Sequence, residues 1–507
     1  MVRPRRPHVL SDICHPERSE GSAFLGSSLA TRSPRVLRGR SPLATIPFRI
    51  TFFARPHPLT SIESYSYKKR GWGWGPEHFP LFPPADKRAT RSNAGNPNLF
   101  MRLLHGSLDT PGGASFFLCA TPRTLRLCVI LFRSSLLLFV STPEAAMNLD
   151  HELLKSLPKV LLHEHLDGVL RPETVIDFAK SAGYQGLPTR NPEELAHWFH
   201  QGANQGSLPK YLEGFVHTIA VMQTEEALER VAYEQAEDLA GDGVVYFETR
   251  FAPVFHTRKG LSHQQVVSAV LKGLERGKHD FGISSGLIIC AMRNMDVSLE
   301  MAELAVDFRD RGVVGFDLAG EEGGYPPKKH VDAFHYIQRK NFSITIHAGE
   351  GYGKESIWQA IQYCGAHRIG HGTRLIDDIA VAEDGKVVKL GDLAQYVLDK
   401  RIPLEICLIS NVQTGAARSL AEHPFKTFYQ QKFRVTLNTD NRLMSDTTMT
   451  KEFEAATDTF GLTLDDFEIL TINAMKSAFL PYDKRCDFIY NVLKPGYAKI
   501  RRFQQEQ

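Results

Sequence analysis

Between residues 159 and 441, short apolar runs of strand character alternate with amphipathic stretches of helical period. That alternation marks βαβ units and a parallel sheet. The runs are KVLLHEHLDG (159–168), VVYFETRFAP (244–253), SSGLIICAM (284–292), VVGFDLAGEE (313–322), FSITIHAGE (342–350), HRIGHGTRL (367–375), IPLEICLIS (402–410) and FRVTLNTDN (433–441). Between them, segments such as EEALERVAYEQAEDLAGDG repeat apolar residues every three or four positions and end on glycine, as a helix packing one face inward does. Eight strands with intervening helices predict a closed α/β barrel of the (β/α)8 TIM type.

Two segments exceed what a minimal barrel requires. Residues 169–243 separate the first two runs and contain helical patterns such as LPKYLEGFVHTIAVMQ. They are expected to form a helical insertion after strand 1, a lid that would exclude water from the barrel mouth. The chain after residue 448 reads as C-terminal closing helices.

Charge divides the chain at residue 147. Residues 1–146 hold 20 Lys and Arg against 8 Asp and Glu, and residues 147–507 hold 40 against 49. The first segment is rich in Arg, Pro and Ser and shows no useful helical or strand period, so it is not expected to form a domain. It is read as a stretch not genuinely translated, a disordered basic arm or a targeting sequence. The run 128–140 is interrupted by Arg133 and is too short to span a bilayer. The domain is expected to begin at Met147. Cys290, Cys364, Cys407 and Cys486 lie in this second part without a CxxC pair, which suits a reduced, cytoplasmic compartment.

Ionisable residues gather at the C-terminal ends of the predicted strands, where barrel enzymes build their active sites. His163 and His165 lie two apart on the first strand, so both rings project to one face. The fifth run ends in HAGE with His347 and Glu350, the sixth surrounds His371, and the eighth ends in NTDN with Asp440. Singly, each has a bland explanation: His371 as a core histidine, Asp440 as a helix cap. Together, three histidines and a carboxylate on one rim fit a zinc site with room for a water, whose pKa the ion lowers towards ~7.

HEHLDG, DLAGEE, HAGE, RIGHG and LNTD, in this order, resemble the adenosine deaminase family of metal-dependent hydrolases, over nearly all of residues 155–480. The resemblance implies one Zn²⁺ per chain on His163, His165, His347 and Asp440, and hydrolysis of adenosine and 2′-deoxyadenosine to inosine-type products and ammonia in purine salvage. It implies that Glu350 protonates purine N1 and that His371, with Asp440, orients and helps deprotonate the attacking water. Substrate contacts would come from His165, from the Gly320 backbone near N3, from Asp167 at the ribose 5′-hydroxyl and from Asn441 near N7. Relatives carry Asp where Asn441 stands; an amide can donate to N7 without being protonated. The acid must stay protonated at neutral pH to meet the electron pair pushed onto N1, which requires a partly dry pocket for Glu350.

Adenine or 6-aminodeoxyfutalosine are the alternative substrates. The resemblance disfavours them because such deaminases usually carry Glu where Asp167 stands, extending into the space of the ribose. A non-enzymatic alternative is nucleic-acid binding through the Arg-rich first segment. GEGYGKE (349–355) has the wrong spacing for a phosphate loop, and the HxE with PCxxC of nucleic-acid deaminases is absent. The expected partner is therefore a small purine nucleoside, with no nucleic acid and no membrane. Nothing in the sequence sets an oligomeric state.

Overall fold

The computed structural model describes residues 127–132, 135–140 and 149–506. Each of the eight predicted runs contains a strand: β1 (Lys159–His165), β2 (Val244–Phe251), β3 (Ser284–Met292), β4 (Val313–Ala319), β5 (Ser343–Ala348), β6 (Arg368–His371), β7 (Leu404–Ile406) and β8 (Val435–Leu437). They pair in parallel, in sequence order. The ring closes between its first and last members. The His165 N–H donates to Asp440 O at 2.8 Å, the Asp440 N–H donates to His163 O at 3.0 Å, and the Leu162 N–H donates to the Asn438 side chain at 3.0 Å. The fold is a (β/α)8 TIM barrel. The strands are shorter than the apolar runs because each C-terminal part turns out of the ladder into a rim loop, where the polar motifs lie.

The insertion holds the helices Pro172–Ala182, Pro192–Ala203, Leu208–Tyr211, Phe215–Val221 and Glu225–Gly241. Proline opens the first three, where its missing N–H has no intrahelical partner to lose. The Gly206 N–H donates to Gln413 O at 2.9 Å, fastening this segment to the end of the short helix Leu408–Gln413 beyond β7. Residues 206–209 line a cavity of about 520 Å³ together with Glu350, Tyr352 and Thr414, so the insertion borders the barrel mouth. Closing helices follow at Met449–Phe460, Leu464–Ser477, Tyr482–Asp487 and Lys494–Gln505.

Two hairpins were not read from the sequence. Residues Ile379–Val381 pair with Val387–Leu390, and Leu127–Phe132 with Ser135–Val140. The arms of the second are uninterrupted apolar runs, which carry no period-two alternation to register. The rest of the expectation for residues 1–146 lies outside the described residues.

The space between strands and helices is aliphatic and aromatic, with Phe316 against Phe334 at 5.4 Å between ring centres. The barrel interior, by contrast, is ionic. Arg250 spans Asp317 (3.1 Å) and Glu405 (2.9 Å), and Arg368 spans Glu405 (2.5 Å) and Glu248 (2.6 Å), all essentially inaccessible to solvent. Charges so buried persist only when alternately paired, and removing one member strands its neighbours. This chain of ions reaches from the barrel floor to the ring of His163.

Candidate active site

The rim brings the HxH, HAGE, GHG and NTD residues to one point. His163 Nε2 lies 3.3 Å and His165 Nε2 3.4 Å from Asp440 Oδ1, and His165 Nε2 lies 3.0 Å from His347 Nε2. Ligand atoms of His163, His165, His347 and Asp440 all fall within 4.8 Å of one another. His163 Nδ1 donates to Glu405 at 2.9 Å and His347 Nδ1 to Asp317 at 3.0 Å, so the Nε2 atoms of both present lone pairs to the shared point. Lone pairs facing each other and a carboxylate oxygen repel unless a cation lies among them. His163 Nε2 has no hydrogen-bond partner among the described residues, although it is buried. The donor set therefore fits a small divalent cation.

The supporting groups are ordered by the same interior ions. Burial opposes the charges of Asp317 and Glu405, but His347 and Arg250 around Asp317, and Arg250 and Arg368 around Glu405, hold both carboxyls well below the usual range. Both are thus fixed acceptors for imidazole N–H groups. Burial lowers the pKa values of His165, His347 and His371, keeping the rings neutral. Asp440 is held down despite its burial by the histidines around it, and Oδ2 accepts from Ser410 at 2.6 Å.

Glu350 lies beside the cluster, with a carboxyl oxygen within 4.8 Å of ligand atoms of His371 and Asp440. Its backbone N–H donates to Glu322 at 3.0 Å and that of Gly349 donates to the same carboxylate at 3.1 Å. One Glu350 oxygen lies 3.5 Å from His371 Nε2. Burial, then Asp440 and Glu322, push its carboxyl well above the usual range. Such a group is a proton donor at neutral pH.

The hydrogen-bond polarity around His371 can be worked out from one backbone group. The Phe425 N–H donates to His423 Nδ1 at 3.0 Å, so His423 carries its proton on Nε2. That proton goes to Asn411 Oδ1 at 3.2 Å, and the Asn411 amide nitrogen in turn donates to His371 Nδ1 at 2.9 Å. Burial holds His423 down to about 3, so it does not charge. Neutral His371 must then carry its proton on Nε2, facing Glu350 and the ligand cluster.

His371 and Asp440 both adopt left-handed backbone angles, φ 60° and 62°. Non-glycine residues rarely do so, and the strain is retained at two of the residues that carry chemistry. Gly320 has φ 100°, a conformation that a side chain would oppose, and leaves its backbone open to the mouth side of β4. Asp167 lies in the short turn Leu166–Gly168 and is buried, with Oδ1 unpartnered among the described residues. Burial pushes its carboxyl up to about 7. Asn441 Oδ1 is also unpartnered and lies where a Cβ on Gly168 would stand, 2.1 Å away, so only glycine fits there.

Sequence reasoning missed Arg250, Asp317, Glu405, Ser410, Asn411, Glu322 and His423. Arg250, Asp317 and Glu405 were visible as lone charges within apolar strands, a pattern that demands a buried partner.

An eight-stranded barrel whose C-terminal rim gathers three imidazoles and a carboxylate, with His163, His347 and Asp440 each backed by a fixed acceptor or donor, defines a metal-dependent barrel hydrolase. The family model described as adenosine deaminase matches residues 158–495. The chain belongs to the adenosine deaminase family. It is 56% identical over 360 residues to "Adenosine deaminase 1" of Streptomyces coelicolor, covering 69% of this chain and 91% of that protein. It is 54% identical over 354 residues to the adenosine deaminase of Mycobacterium marinum, covering 69% and 98%. Among solved structures it resembles an adenine deaminase from Arthrobacter aurescens, with TM-score 0.61 and 25% identity over 68% of this chain and 99% of that one. It also resembles the Arabidopsis N6-mAMP deaminase, with TM-score 0.59 and 26% identity over 68% and 99%. No helix among the described residues is long and apolar enough to cross a membrane.

Proposed function

We propose that the chain hydrolyses adenosine and 2′-deoxyadenosine to the corresponding 6-oxopurine nucleosides and ammonia, with Zn²⁺ as cofactor, in the cytoplasm. The observation that carries this reading is a buried carboxyl, Glu350, whose pKa burial and the neighbouring Asp440 and Glu322 raise, within reach of a three-histidine, one-aspartate cluster. His163, His165, His347 and Asp440 would hold the ion: their ligand atoms lie within 4.8 Å of one another, and nitrogen and oxygen donors without thiolate suit zinc. When bound, the ion supplies Lewis acidity that makes hydroxide available near neutral pH.

The remaining work falls to side chains. Glu350 delivers its proton to purine N1 as addition at C6 breaks the aromaticity, and its raised pKa matches that task. His371, with its proton on Nε2, acts as a donor that orients the attacking oxygen; the proton leaving that oxygen passes to the carboxylate of Asp440 and from there to the exocyclic amine as the C6–N bond breaks, so that ammonia departs. The Gly320 backbone meets N3, and Asn441 donates to N7. Asp167, buried and short of a partner, accepts from the ribose 5′-hydroxyl. Free adenine would leave that group unmatched, which favours the nucleoside. The Leu208 segment of the insertion limits water at the mouth.

A spectrophotometric screen of adenosine, 2′-deoxyadenosine, adenine and 6-aminodeoxyfutalosine tests the assignment. Adenosine is expected to exceed adenine by more than about tenfold in kcat/KM. Equal or faster turnover of adenine would overturn the choice of substrate and leave the deaminase chemistry standing.

A further inference from the structure

The face of the barrel opposite the catalytic rim concentrates positive charge. The N-terminal ends of β4 to β8 border a cavity of about 780 Å³, and a second of about 550 Å³ adjoins it beneath the C-terminal helices. Arg434, Lys476 and Arg485 line both, which makes them one groove. Arg309, Lys400 and Arg401 line the larger part and Lys494 the smaller. Among the described residues, no Asp or Glu lines either.

This is unusual for the chain, since residues 147–507 hold 40 basic against 49 acidic residues. Elsewhere several surface cations stand in pairs with carboxylates: Arg171 with Asp238, Arg276 with Glu229, Arg501 with Asp465. In the groove Arg368 is neutralised from inside the barrel by Glu248 and Glu405, but the bonds of Arg485, Arg309 and Arg401 go to carbonyls. Arg485 donates to Lys476 O at 2.6 Å, Arg309 to Lys340 O and Arg401 to Lys432 O. Such bonds aim a guanidinium without neutralising it. Nε of Arg434 and Nε of Arg485 are buried without a partner among the described residues. Burial, then Arg401 and Arg485, pull Arg434 below the ordinary guanidinium value, so the cations repel one another.

Uncompensated cations held in one concavity create a field that a multiply charged anion neutralises, and guanidinium forks match phosphate oxygens. The volumes suit a small ligand. We propose that this groove binds a compact polyphosphate anion, either inorganic or the phosphate tail of a nucleoside triphosphate. Arg434 and Lys476 form the shared wall on which the phosphates seat. Their distance from the rim, the length of a barrel strand, separates this site from the deamination chemistry.

Calorimetric titration of the full chain with inorganic tripolyphosphate tests the proposal, with orthophosphate and a single-stranded oligonucleotide as comparisons. Tripolyphosphate is expected to bind saturably and more tightly than orthophosphate. The double variant Arg434→Gln, Lys476→Gln should weaken it by about tenfold or more, with kcat/KM for adenosine unchanged. Without anion the variant should melt no lower than the parent, because repulsion has been relieved, and it should lose the anion-induced rise in Tm. The proposal fails if no saturable binding is found, or if the variant binds undiminished, as it would were the anion held by the Arg-rich residues 1–146. Oligonucleotide binding without tripolyphosphate binding would also overturn it, as would a lower melting temperature of the variant.

Discussion

Replacing Asn411 by aspartate changes one hydrogen-bond polarity and with it the tautomer of His371. In the parent, the Asn411 amide donates to His371 Nδ1 at 2.9 Å while its oxygen accepts from His423 at 3.2 Å. Aspartate keeps the His423 bond but can only accept at the other position, so His371 must move its proton to Nδ1. Nε2 then presents a lone pair to Glu350, 3.5 Å away, and can no longer donate to the attacking oxygen. A wrong imidazole tautomer in a serine protease triad costs ~10⁴ in kcat. His371 orients an oxygen and is not the principal proton acceptor here, so the expected loss is about 10²–10³-fold, or about 3–4 kcal/mol in the barrier. KM should change little, since no ground-state contact with the nucleoside is touched. Steady-state kinetics on adenosine give the kcat and KM effects. ¹⁵N-edited NMR of the His371 ring should find an Nε2–H tautomer in the parent and an Nδ1–H tautomer in Asn411→Asp. An Nδ1–H tautomer in the parent, or a variant within about threefold of parental kcat, would remove His371 from the role of donor to the attacking oxygen.

Glu350→Gln retains size and a hydrogen bond to N1 but has no proton to deliver, so kcat should fall ~10²-fold or more by the same spectrophotometric assay. Asp167→Ala should erode most of the preference for adenosine over adenine, measured as the ratio of their kcat/KM values. Because burial raises Asp167 from 3.8 to about 7, the folded state holds the proton longer than the unfolded chain does. Its contribution is therefore fully present below about pH 4 and is lost as pH rises towards about 7, by up to about 4 kcal/mol. Denaturant unfolding of Asp167→Asn should lack that slope. Residues 1–146 supply none of the rim residues, so we expect a chain beginning at Met147 to fold and to match the full chain in kcat/KM. An inactive or insoluble product would place the boundary elsewhere.

The strands and the rim motifs were legible because strand periodicity stops where the polar residues begin. His163 and His165 share a face by spacing alone, and His347, Glu350, His371 and Asp440 each follow an apolar run. What hid the rest was separation along the chain. Arg250 finds Asp317 67 residues away and Glu405 155 residues away, so the lone charges in those strands announced a need for partners without naming them. The relay through Asn411 and His423 runs over the short helix Leu408–Gln413 beyond β7 and the loop that follows it, segments too short for a helical period to stand out. The groove cations are scattered from Arg309 to Lys494 and meet only because the N-terminal strand ends share one face. The Ile379–Leu390 hairpin had a local signal, the Asp384–Gly385 pair at its turn, in a segment too short to stand out from a loop.

Deamination is expected to depend on an ion held by His163, His165, His347 and Asp440. Ammonia release from adenosine, followed in the purified chain before chelation, after exhaustive chelation and after stoichiometric return of Zn²⁺, tests it most directly, with elemental analysis of each sample. About one zinc per active chain is expected, with loss of turnover on loss of metal, recovery on its return, and no recovery in His347→Ala. Full activity in protein free of transition metal would contradict it.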